Sequence, residues 1–505
     1  MNSSIKKTAF CAFLALLTIT TIAQTPLLTN LHQRAGLSLN GEWQYIVDPY
    51  ETGFYDYRFK ERKESDGEAF WNIAIQKNKT ERKEHGYSDK YVLKVPGDWN
   101  HQKPEFLFYE GTIWYKKSFD YQVKANKAYY IYFGAVNYKA DVYLNGKKLG
   151  SHIGGFTPFN FKIPTDYLKE KDNFIVVKVD NKRGADEVPT LNTDWWNYGG
   201  ITRDVTLIEE ESSFVEDYTI QLKKGNANVI SGFIKINNLD PAKNQVSIAI
   251  PELKLNYKGK IGADGILNFE IPAKKISYWS PENPKLYDVN IDFNGKKLND
   301  QIGFRTIETK EDKILLNGKP VFLRGISIHE ENAKGGRANS EEDALRLLNW
   351  AKELGCNMVR LAHYPHDESI TRLADSLGLM VWSEIPVYWT INFGSKEVLK
   401  KAKQQLHEMI DRDRNRASII IWSVGNETPI SPVRTEFMRS LIDETKTLDQ
   451  SRMVSAALEI KISNSIDTIV VDDPLGAFVD LVAFNEYLGW YGGLPSQCKK
   501  TNWKT

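Results

Sequence analysis

Cysteine is scarce: the 505 residues contain three. Cys11 lies inside an N-terminal apolar run, so only Cys356 and Cys498 remain for a mature chain, too few for a disulfide framework. Neither sign of charge dominates, since 66 basic and 65 acidic residues leave a formal net charge of +1. That balance, with no basic tail, argues against nucleic-acid binding. Past the first two dozen residues no apolar stretch is long enough to span a bilayer. HExxH, GxSxG, P-loop and paired CxxC patterns are missing. Internal repeats and low-complexity tracts are missing too. The length exceeds what one hydrophobic core usually serves, so several domains are expected.

The first residues read MNSSIKKTAFCAFLALLTITTIAQ. Lys6 and Lys7 precede an apolar run from Ala9 to about Ile22, and Ala23 supplies a small residue at a cut. This predicts a signal peptide over residues 1–23 and a secreted or periplasmic protein. Cys11 precedes most of the apolar run and is poorly placed for lipid attachment. Aromatic residues are abundant, at 12% with 13 Trp and 24 Tyr. Sugar stacking and core packing both use such residues.

Residues 24–208 read as all-β, with short alternating runs such as YYIYFG (129–134) and ADVYLNG (140–146), where Asn145-Gly146 is a hairpin signal. Residues 209–307 carry further short strands, enough for one small sandwich. From residue 308 the texture changes. A hairpin is predicted around Asn317-Gly318, and VFLRG (321–325) counts as a first barrel strand. Helices at about 340–354, 367–377, 396–413 and 432–447 then alternate with strands NMVRLA (357–362), LMVWSE (379–384), IIIWSV (419–424), RMVSAAL (452–458) and DLVAFN (480–485). This is the rhythm of a parallel β/α barrel, with six strands rather than eight.

Polar groups gather just past these strands: His329 and Glu330, His363, Glu384, Asn426 and Glu427, then Asn485, Glu486 and Tyr487. In a barrel such ends converge on one pocket. Each has a plainer reading: Glu427 as a first-turn helix acid, the histidines as satisfied core groups. The spacing of His329, Glu330 and His363 matches no metal signature. A carboxyl group beside an Asn, in a pocket with His and Tyr, suits glycoside chemistry. That chemistry needs one acid to protonate the leaving oxygen and a second carboxylate to attack or stabilise the anomeric carbon.

The stretches LNGEWQY, VPGDWN, YEGTIWYKKSF, VYLNGKKLGSHIGGFTPF and DWWNYGGITRDV, then FLRGISIHEENA, NMVRLAHYPHD, VWSEIPV and IIIWSVGNE, together resemble glycoside hydrolase family 2. That family holds β-galactosidases, β-glucuronidases and β-mannosidases. The resemblance covers nearly the whole mature chain. It implies a β jelly-roll sugar-binding domain, an immunoglobulin-like β-sandwich and a catalytic TIM barrel, here incomplete, with about six of eight strands. It makes Glu427 the general acid/base, which requires a raised pKa. Asn426 becomes the partner of the sugar 2-hydroxyl. His329 and His363 become substrate contacts, and Asp194 an aspartate that the first domain extends to the barrel site. FNEYLGWYGG (484–493) is similar to the β-glucuronidase pattern, carried by Asn485, Tyr487 and Tyr491. Glu486 departs from it, because an acid there repels a uronate carboxylate unless it points away.

The resemblance places the nucleophilic Glu after a seventh strand, in a segment similar to SEFG. LPSQCKKTNWKT (494–505) contains no acid at all. The expectation is therefore a truncated family member, inactive alone and with open edges on its first and sixth strands. The expected activity of the family is that of a retaining exo-β-glycosidase with no cofactor and no metal. Its partner is a carbohydrate, most like a β-D-glucuronide. A β-galactosidase of the same family and a non-catalytic carbohydrate-binding protein are the alternatives. A homo-oligomer stays open.

Overall fold

The computed structural model describes residues 26–51, 59–60, 86–462, 468–487, 491 and 502–504. The leader pattern over residues 1–23, most of LPSQCKKTNWKT and residues 488–490 and 492–493 of the sugar-signature stretch lie outside them.

The first domain packs a six-stranded antiparallel sheet against a four-stranded one. Lys139–Leu144 shows why: buried and half-buried residues alternate strictly, so one face enters the core and the other meets solvent. The Asn145-Gly146 turn joins it to Lys147–Ile153, with φ of 50° and 80°. Both residues are left-handed, as a two-residue primed turn requires. Between the sheets lies an aromatic-rich core that includes Trp43, Trp99, Tyr115 and Phe133.

The second domain is a sandwich of a three-stranded sheet, Phe214–Lys223, Asn226–Asn237 and Ile266–Pro272, and a four-stranded sheet. Its buried Asp300 accepts from Tyr218 Oη (2.7 Å), Arg372 Nη1 (3.0 Å) and Arg416 Nη2 (2.5 Å). The two arginines belong to the barrel, so one carboxylate docks the two domains. Burial would raise this carboxyl, but the two guanidinium charges outweigh it and hold it below the usual range.

The third domain alternates β1 (Gly325–Ile328), α1 (Glu341–Glu353), β2 (Met358–Leu361), α2 (Glu368–Leu377), β3 (Met380–Glu384), α3 (Lys396–Asp413), β4 (Ile419–Asn426), α4 (Pro432–Leu448), β5 (Met453–Leu458) and β6 (Leu481–Phe484). The six strands form one parallel sheet in sequence order. Every residue of β4 is buried, as its unbroken apolar run predicts for a strand covered on both faces. Side-chain caps start the helices: Ser340 with Asp343 as a capping box on α1, Asp367 on α2, Ser395 on α3 and Ser431 before Pro432 on α4. Among the described residues β1 pairs only with β2 and β6 only with β5.

One boundary differs from the sequence reading. VFLRG is not the first barrel strand, which begins only at Gly325. Val321 N donates to Ile314 O, so this residue continues the preceding hairpin, and Phe322 is 76% exposed. The hairpin of Lys313–Leu316 and Lys319–Pro320 instead places Leu316 with Trp279, Met380, Trp382, Ile420, Ile421 and Met453. That apolar cluster closes the end of the barrel opposite the polar rim.

Candidate active site

Glu427 does not begin a helix. It follows β4 in a left-handed conformation, φ 47°, while α4 starts five residues later at Pro432. A non-glycine residue pays strain to adopt that backbone, and two clamps hold it there. Glu427 N donates to Ala457 O at 2.8 Å, and Thr428 Oγ1 accepts from the buried Arg434 Nε at 2.7 Å. The carboxylate is thereby turned into the mouth of the barrel.

Four donors meet it. Tyr487 Oη donates to Oε1, Trp389 Nε1 to Oε2 (3.1 Å) and Asn426 Nδ2 to Oε2 (3.3 Å), and Asn485 also hydrogen-bonds the group. Burial alone would raise the carboxyl, but these bonds outweigh it, so its pKa lies below the ordinary value. In this structure the direction is opposite to the raised pKa that the family role calls for. The four donors favour the charged form of Glu427 in this structure. Two of them come from residues after β6, some sixty positions away in sequence.

A second network lies beside it. Arg360, from β2, donates through Nη2 to Asn426 Oδ1 (2.6 Å) and through Nη1 to Asn485 Oδ1 (3.0 Å), and grips Glu384 through Nε and Nη2. Glu384 Oε1 also lies 2.7 Å from His363 Nδ1, and its Oε2 accepts from Trp382 Nε1 at 2.8 Å. Burial raises the Glu384 carboxyl, yet the Arg360 charge and the His363 bond prevail and hold it at about 2. With both oxygens taken, Glu384 is a fixed anion that orients Arg360 and His363. Glu459, just after β5, behaves differently: burial, then the charge of Glu427, pushes its carboxyl up.

His329 lies across the pocket, its Nδ1 3.2 Å from Tyr364 Oη and its ring centroid 5.5 Å from that of His363. Burial, then the charges of His363 and Arg337, lower it to about 4. His329 is therefore expected to stay neutral through pH 5 and to protonate only near pH 4. An NMR titration of its ring protons checks this, and an apparent pKa at or above 6 would contradict it.

The first domain completes the rim. Asp194 accepts a hydrogen bond from Tyr388 Oη, and its charge acts on His329. The adjacent Trp195 ring packs 4.9 Å from Tyr388 and 5.9 Å from His363. Asp194, His329, His363, Asn426, Glu427, Asn485 and Tyr487 are thus brought together. Tyr491 packs against Tyr487 at 5.0 Å but is 78% exposed, on the outer edge. Glu486 is exposed. Glu330 accepts from Arg203 Nη2 (2.7 Å) and Asp367 N (2.8 Å), a domain contact rather than a pocket group.

Sequence reading missed Arg360, Trp389, Tyr388, Trp195 and Glu459. Glu459 had a usable signal, since it directly follows a barrel strand, whereas Arg360 lies inside one. The two tryptophans and Tyr388 sit in loops with no period to betray them.

An Asn-Glu pair ending the fourth strand of a parallel barrel, behind two β domains, defines a class of glycoside hydrolase. The chain belongs to glycosyl hydrolases family 2: its sugar binding domain matches residues 37–211, its second segment 206–305 and its TIM barrel domain 307–496. A putative beta-glucuronidase of Formosa agariphila is 29% identical over 480 residues, 89% of this chain and 56% of that protein. A beta-galactosidase of Thermoanaerobacterium thermosulfurigenes is 30% identical over 418 residues, 77% of this chain and 53% of that protein. The chain therefore spans little more than half of these two relatives. In structure it resembles the beta-glucuronidase of an uncultured Clostridium sp., with a TM-score of 0.77 at 24% identity, over 93% of this chain and 79% of that one.

Proposed function

We propose that this chain carries the acid/base side of a retaining exo-β-glycosidase site whose favoured terminal sugar is β-D-glucuronate. The observation that carries the reading is Glu427, strained into the barrel mouth and met by Tyr487, Asn485, Trp389 and Asn426. In the first step of a retaining cycle Glu427 protonates the leaving oxygen, and in the second it takes a proton from water. The attacking carboxylate is not Glu384, whose oxygens Arg360, His363 and Trp382 occupy. A carboxyl pushed upward, as Glu459 is, makes a poor nucleophile. In the family pattern this second group follows a seventh strand. Asn426, fixed by Arg360 and Asn485, presents its amide to a sugar hydroxyl, and Asp194, His329 and His363 border the remaining ring positions.

The choice of glucuronide rests on the Asn485–Tyr487–Tyr491 pattern and on relatives named beta-glucuronidase. Glu486 is exposed, so solvent screens its charge and weakens its repulsion of a uronate. The leader pattern supports a location outside the cytoplasm. The relative named beta-galactosidase favours the second reading, of galactosides. Hydrolysis of p-nitrophenyl β-D-glucuronide and β-D-galactoside by the full-length parent gene product separates them. A kcat/KM at least about tenfold higher for the glucuronide is expected, and preference for the galactoside overturns the assignment.

A further inference from the structure

On the far side of Trp195 the first domain holds a second recess, of about 290 Å³, which none of the groups holding Glu427 lines. Arg183 forms part of its wall. Its side chain is buried, at 3% exposure, and its Nε and Nη2 have no hydrogen-bond partner. Burial lowers its pKa, and Tyr138 and then Glu110 act on it only through charge, with no ion pair formed among the described residues. A buried guanidinium left this way is costly unless something pairs with it.

The rim is apolar and exposed: Phe108 is 78% and Trp196 42% exposed, with ring centroids 5.6 Å apart. These rings do not ride on loose loops. Asn100 Nδ2 donates to the carbonyls of Phe106 (2.9 Å) and Leu107 (3.1 Å), while Asn100 Oδ1 accepts from Gly199 N (2.9 Å). Asn197 Nδ2 donates to Glu110 at 2.8 Å and to Asn181 O at 2.9 Å. The loop carrying Phe108 and the loop carrying Trp196 are thus pinned to each other. Two exposed, mutually tilted aromatic rings on fixed backbone, in one recess with a buried unpaired cation, suit a sugar with an acidic substituent. The recess adjoins the catalytic pocket, because Trp195 lines it and also packs against Tyr388 and His363 of the barrel.

We infer that this recess is a second carbohydrate-binding site, which stacks a sugar ring on Phe108 and Trp196 and pairs its carboxylate or sulfate with Arg183. It holds an acidic glycan beside the catalytic pocket. The inference needs no turnover, so it stands or falls apart from the proposed hydrolysis.

Calorimetric titration of the 505-residue protein with three tetrasaccharides tests it: an oligogalacturonate, a κ-carrageenan fragment and cellotetraose. At least one acidic probe should bind about tenfold or more tightly than neutral cellotetraose, and which one binds separates carboxylate from sulfate. Phe108→Ala and Trp196→Ala should each weaken that binding about tenfold. Arg183→Gln should erase the preference for the acidic probe, and the melting temperature reports whether that variant folds. If it does not, the two aromatic variants decide. Loss of binding in the two aromatic variants, whose rings lie outside the catalytic pocket, assigns the ligand to the recess. Two results each overturn the inference: no preference for either acidic probe, or full binding in both aromatic variants.

Discussion

Replacing Glu427 by Gln is expected to lower hydrolysis of an unactivated β-linked disaccharide by about 10²–10⁴-fold, the usual contribution of a positioned acid/base. The amide keeps the shape of the side chain and can no longer exchange a proton at physiological pH. The loss should be smaller for p-nitrophenyl glycosides, whose leaving group needs little protonation. Steady-state kinetics on both substrate types, in a preparation that turns over, supply the comparison. Equal losses on the two would refute the role. The hydrogen bonds around the carboxylate add a sign. Tyr487 favours the ionised form, so Tyr487→Phe should raise the Glu427 pKa. The limb of the pH profile that requires protonated Glu427 should then move to higher pH. An unchanged or lowered limb would refute the stabilisation of the charged form by Tyr487.

The largest stability effect is expected at Asp473. Arg434 Nη1 and Nη2 donate to its two oxygens at 2.7 and 2.6 Å, and both side chains are fully buried. The Asp473 carboxylate also accepts from Leu475 N at 2.9 Å, fixing the turn before β6. Asp473→Ala leaves the Arg434 charge buried and uncompensated, a loss of about 3–5 kcal/mol. Chemical denaturation followed by tryptophan fluorescence measures it, and a loss under about 1 kcal/mol would show that water or another acid takes over. Replacing Arg434 and Asp473 together by Leu and Met should cost much less, because no buried charge is orphaned. The single substitution should also disturb the site, since Arg434 holds Thr428 next to Glu427.

Much of the barrel was legible before any coordinates. The apolar face of residues 396–413 gives the bounds of α3, Lys396–Asp413, and Ser395 caps it. The run at 419–424 marks a strand buried on both faces, and β4 extends it only to Asn426. These features are local. Side-chain period, a cap and a turn residue are set by neighbours within one or two helical turns, so the chain itself writes them. Asn426 and Glu427 were legible for the same reason, as polar groups directly past an apolar strand.

What only the tertiary structure decided is the state of those groups. Around Glu427, donors from β4, from the loop after β3 and from residues past β6 converge and favour its charged form, a direction that no local pattern carries. Arg360 looks like one more strand residue until the fold sets Glu384, Asn426 and Asn485 around its guanidinium. Asp194 reads as a solvated loop acid until the jelly roll lies against the barrel and Tyr388 reaches it. Arg183 carries no pattern at all. Its meaning comes from burial without a partner. A pKa, an ion pair or a recess sums contributions from groups that are neighbours in space and strangers in sequence, and only the packing of the domains brings those groups together.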